Sequence, residues 1–115
     1  MSISHERIVE AYRPLLEGIG FHDAKTRHPR RFITAYQLWL ELKRRRDPIC
    51  NELIDACKGE FVGENAGSNV GPAQKIAQAI GNCQDFETQY IDTQYLHFNG
   101  ITPSDGEDCG LFRLR

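Results

Sequence analysis

The chain has 115 residues, 40% hydrophobic and 26% charged, with a formal net charge of −2. That balance excludes low-complexity, collagen-like and strongly charged chains and fits one ordinary globular domain over residues 1–115. No apolar run approaches the ~20 residues of a membrane span, and MSISHERIVEAYRP lacks a basic region followed by a hydrophobic stretch, so a cytoplasmic protein away from membranes is expected.

In chain order, Ile8, Tyr12, Leu15, Leu16 and Ile19 recur at helical spacing, introduced by Ser4 as an N-cap. This predicts an N-terminal helix within residues 1–20, closed by Gly18 and Gly20. Pro14 is expected to kink or split it near Tyr12. Phe21–Arg31 is polar, basic and broken by Pro29, and reads as a loop.

A helical core is expected over 32–81. In FITAYQLWLELKRRR, Phe32, Ile33, Tyr36, Trp39, Leu40 and Lys43 share a face, with Leu38 and Leu42 widening it and Trp39 turned inward. Asp47 then reads as the N-cap, and Pro48 as the first residue, of a further helix. That helix buries Ile49, Leu53, Ile54 and Cys57 and stops at Gly59.

Glycines follow at 59, 63, 67 and 71. A phosphate loop of the Walker type needs a Gly-Lys-Ser/Thr ending after a hydrophobic strand, and both are missing; so is Gly-x-Gly-x-x-Gly. The stretch reads as a flexible loop leading into GPAQKIAQAIG, a short helix with Gly71 as N-cap, Pro72 first and Gly81 as the stop. Ala73, Ile76, Ala77 and Ile80 form its apolar seam, while Gln74, Gln78 and Asn82 line the other side with Lys75 beside them. The tail, 86–115, alternates like strands, with TPSDGED as the turn. A β-hairpin is predicted, roughly Gln94–Ile101 with Gly110–Arg115. The fold class is thus α+β: about four helices and a C-terminal hairpin.

No catalytic set is complete. Glu41 and Lys43 with Asp23 fit the loose carboxylate–lysine pattern of metal-dependent nucleases, but residues two apart on a helix point to different sides. His22-Asp23 lacks companion ligands, and Cys83 or Cys109 with His97 has no flanking signature. Cys50, Cys57, Cys83 and Cys109 include no Cys-x-x-Cys pair, so free thiols are expected rather than disulfides or a metal site. A non-enzymatic protein with no cofactor is favoured.

Charge is unevenly spread. Ala24–Arg46 holds eight bases (Lys25, Arg27, Arg30, Arg31, Lys43, Arg44, Arg45 and Arg46) against Glu41. Residues 59–115 carry three bases against eight acids, a net −5. Two helices at a tight turn, then a short capped helix and a hairpin, form an order that resembles the winged helix-turn-helix superfold. That resemblance implies DNA binding and regulation, with Gln74 and Gln78 as base readers. Lys75, Ser68 and Asn69 would then touch phosphate, and the basic clusters would supply sequence-blind attraction. Against it stand the acidic tail and a link of about 14 residues, Lys58–Gly71, where a helix-turn-helix uses a few. The alternative is a protein-interaction module, an adaptor or small inhibitor docking on a charged partner surface or on a second copy as a homodimer.

Overall fold

The computed structural model describes residues 3–18, 31–60, 70–93, 101 and 108–115. Helix α1 spans His5–Gly18 and begins at Ser4, whose Oγ accepts a hydrogen bond from Arg7 N at 3.1 Å. Ile8, Tyr12 and Leu16 form its buried stripe. The helix runs through Pro14 without splitting there. Pro14 and Glu10 both lie on the exposed side, where water can satisfy the carbonyl that the missing N–H leaves.

The next helix starts later than its apolar pattern implies. Ile33–Thr34 is a two-residue strand, β1, and α2 runs from Ala35 to Arg44. A capping box sets the boundary: Gln37 N donates to Thr34 Oγ1 at 3.2 Å, and Thr34 N donates to Gln37 Oε1 at 2.9 Å. α2 buries Ala35, Leu38, Trp39 and Leu42.

The chain reverses at Arg46, which takes a left-handed φ of 56°. It enters α3, Ile49–Cys57, with Pro48 at the cap position, one residue from its predicted place. Asp47 still serves the helix start, its Oδ1 accepting from Ile49 N at 2.9 Å. Lys58, rather than Gly59, takes the left-handed closing position, with φ 59°. Helix α4, Pro72–Gly81, begins as predicted, with Gly71 extended at the cap and its carbonyl accepting from Lys75 N at 3.1 Å. It buries Ala79, where the sequence pattern suggested Ala77.

Strands β2 (Phe86–Asp92) and β3 (Asp108–Leu114) pair antiparallel from Phe86↔Leu114 to Asp92↔Asp108. The expected hairpin therefore starts earlier than Gln94–Ile101, of which only Ile101 lies within the described residues. β1 pairs with β3 through Ile33↔Phe112 and Thr34↔Leu111, making the strand order β1-β3-β2. The described part is a small α+β domain of four helices and a three-stranded antiparallel sheet. Helix α4 is central, packing on the other three helices and on β2 and β3. Phe86 and Phe112 close the core from the sheet side.

Candidate nucleic-acid interface

Five residues of α4 (Pro72, Ala73, Ile76, Ala79 and Ile80) are buried. Their burial turns Gln74, Gln78 and Asn82 outward, all exposed. Gln74 and Gln78, at i and i+4, share one face of the helix, and Asn82 at its C-cap continues the row at a slant. Lys75, half-buried, sits on the flank near Cys57 of α3, where its charge partly offsets the effect of burial on that thiol.

The basic end of α2 is exposed throughout, Lys43 to Arg46, and so is Arg31 before β1. Acidic neighbours reduce its charge. Arg44 and Arg45 both bind Glu41, at 2.6 and 2.8 Å, and these hydrogen bonds hold the Glu41 carboxyl down at about 2. Lys43 pairs with Glu60 and lies 5.9 Å from the Trp39 ring. Arg46 has no ion-pair partner among the described residues. Four cations against Glu41, Asp47 and Glu60 leave this end a net +1. The other predicted contacts, Lys25, Arg27, Arg30, Ser68 and Asn69, lie outside the described residues.

The remaining surface is mixed in charge. Arg13 binds Asp85 at 2.7 Å and lies 5.4 Å from the Phe86 ring. On the sheet, Arg113 meets Glu87 directly across the ladder at 2.7 Å and stacks 4.3 Å from the Phe32 ring. Trp39 is 1% exposed and offers no anchor to a protein partner. Tyr90, at 68%, does stand out from β2; strand alternation in FETQYID carries no signal for that.

The residues considered for chemistry do not converge. Glu41 turns to Arg44 and Arg45 while Lys43 turns to Glu60. Asp23, His22 and His97 lie outside the described residues. The cysteines are free thiols. Burial pushes Cys50 up to about 11 and raises Cys57 and Cys109 as well, which keeps these three protonated at neutral pH. No cluster suited to a metal ion occurs among the described residues.

One feature of this surface has no sequence signal at all: a groove of about 560 Å³ between α1 and the end of α4. Its walls come from helices some seventy residues apart in the chain, His5 to Glu17 and Ala79 to Cys83. Comparison with protein-family models, curated proteins and solved structures found no match in any of the three.

Proposed function

We propose that this protein is a small non-enzymatic regulator that binds duplex DNA as a winged helix-turn-helix. α4 is the reading helix, and the β2–β3 hairpin is the wing. The order helix, strand, helices, strand, strand, with β3 between β1 and β2, supports the reading. The long link between α3 and α4 departs from a helix-turn-helix, but α4 packs on α2 more extensively than on α3 and is supported from that side. In this reading α2 is the helix that supports α4, with α3 between them in the chain.

The observation that carries the reading is the amide stripe. Gln74 and Gln78 project from a helix whose back is buried, and neither side-chain amide hydrogen-bonds another described residue. Amides at that spacing present paired donors and acceptors to adenine edges in the major groove. Arg31, Lys43–Arg46 and Lys75 contribute the phosphate attraction.

The test is binding to random duplex DNA over a salt series. Affinity at low salt that falls steeply as salt rises is expected; flat or absent binding overturns the reading.

A further inference from the structure

The α1–α4 groove combines three properties that together select a ligand. Its volume, about 560 Å³, lies within the range of ~300–1,000 Å³ occupied by small organic molecules and far exceeds what one metal ion or ammonium would fill. Its floor is apolar, from Val9, Pro14, Ala79 and the half-buried Cys83. Its α1 wall carries Glu6, Glu10 and Glu17, all exposed and none in an ion pair among the described residues, though Glu17 lies within the field of Arg13.

The charge of that wall is unbalanced. Glu6 and Glu10, four apart, are a repelling pair on the helix surface, a small cost that a cation between them would remove. Arg13 is the guanidinium of the wall, and it is already held by Asp85 at 2.7 Å, against the Phe86 ring. His5 sits at the rim. An anion or a nucleic-acid phosphate would face three carboxylates here, whereas an apolar cation gains from both floor and wall.

We propose that the groove is a binding site for an apolar organic cation, a bulky hydrocarbon or aromatic body bearing a fixed positive charge. The site is separate from the DNA reading and does not depend on it. The body lies against Val9, Pro14 and Ala79, and the charge lies toward Glu6 and Glu10.

A matched pair of probes tests this without DNA present. Tetraphenylphosphonium and tetraphenylborate have nearly the same shape and opposite charge. Calorimetric titration is expected to show saturable binding of the cation and at least tenfold weaker binding of the anion. Cys83 reports location: the cation should slow its alkylation by N-ethylmaleimide, read by peptide mapping, while Cys57 on α3, also half-buried, reacts as before. The double substitution Glu6→Gln with Glu10→Gln should weaken cation binding roughly tenfold, for two partly exposed charge contacts. Asp55→Asn, exposed on α3 and outside the groove, should not change it. No saturable cation binding, equal affinity for the borate, unchanged Cys83 reactivity in the complex, or unchanged affinity in the double variant would each overturn the proposal.

Discussion

Gly110 lies directly under the ring of Phe112. A Cβ built at Gly110 stands 2.8 Å from Phe112 Cζ and 3.3 Å from Cε2. Residues two apart on β3 share a face, so the ring of one covers the position of the other. Phe112 is 2% exposed and packed in the core, so its ring has no free space to retreat into. Gly110→Ala should therefore destabilise by about 1–3 kcal/mol, the usual cost of overpacking. Gly81 is the control: its built Cβ meets the same ring at 3.7 Å, an ordinary contact. Gly81→Ala in α4 should be neutral or stabilising by up to ~1 kcal/mol. Urea unfolding of both variants measures the contrast, and equal effects would contradict it.

Tyr12 is fully buried, and its hydroxyl has no hydrogen-bond partner among the described residues. Desolvation, then the neighbouring Cys50 and Asp47, raise its pKa, so it stays a neutral phenol. An unpaired buried hydroxyl carries a desolvation penalty of ~1–3 kcal/mol, and removing the group removes the penalty. Tyr12→Phe should thus leave stability unchanged or raise it by up to about 1 kcal/mol. Tyr12→Ala, which empties the same volume, should cost about 3–5 kcal/mol. Thermal unfolding distinguishes them; a large loss in the Phe variant would mean that the hydroxyl has a partner.

Thr34 has two roles at one position, since it pairs with Leu111 in the sheet and caps α2. Thr34→Ala should cost about 0.5–2 kcal/mol, while Thr34→Ser, which keeps the accepting oxygen, should cost less than half as much. A double-mutant cycle with Gln37→Ala should show coupling, because each side chain bonds the other's backbone N–H.

Thr34 also marks how far the fold was legible in the sequence. The Thr-x-x-Gln signature at Thr34 to Gln37 is a local start signal, yet Phe32 and Ile33 extend the apolar period past it and hide the boundary. A two-residue strand such as β1 has no periodicity of its own and exists because β3 offers it hydrogen bonds. β2 was obscured for a related reason: in FETQYID only Phe86 is buried, whereas the more apolar YLHFNGI nearby attracts the strand assignment. α4 was legible because Gly71 and Pro72 act within one turn. The exposure of Gln74 and Gln78 followed from its period, whereas the groove at Asn82 needed the tertiary fit of α1.

Glu41 carries a sign that can be tested by pH. Arg44 and Arg45 lower its carboxyl to about 2 in the folded protein, below the ordinary value of 4.5. A depressed acid contributes stability that is fully present above the unfolded value and lost as pH falls toward the folded one. The loss should therefore fall between about pH 4.5 and pH 2, and the Glu41→Gln variant should lack that component of the acid transition. Under the DNA reading the same variant frees both guanidinium groups for phosphate. Its affinity at low salt should rise, and the slope of log K against log salt should steepen by about one to two. Weaker DNA binding in Glu41→Gln would contradict that role for Arg44 and Arg45.

Gln74 and Gln78 are where specificity and attraction separate. Both are exposed on a helix whose packing they do not share, so Gln74→Ala and Gln78→Ala should change stability by no more than ~0.5 kcal/mol. If they read bases, each substitution should cost about 1–3 kcal/mol on a selected duplex and almost nothing on random DNA, with the salt slope intact. Arg44→Ala with Arg45→Ala should do the reverse, lowering affinity for all sequences together and flattening the slope by about one or two. Selection of preferred duplexes from a random pool, repeated with each variant, measures both effects. A pool that enriches the same sequences after both glutamines are removed would leave α4 without a reading role.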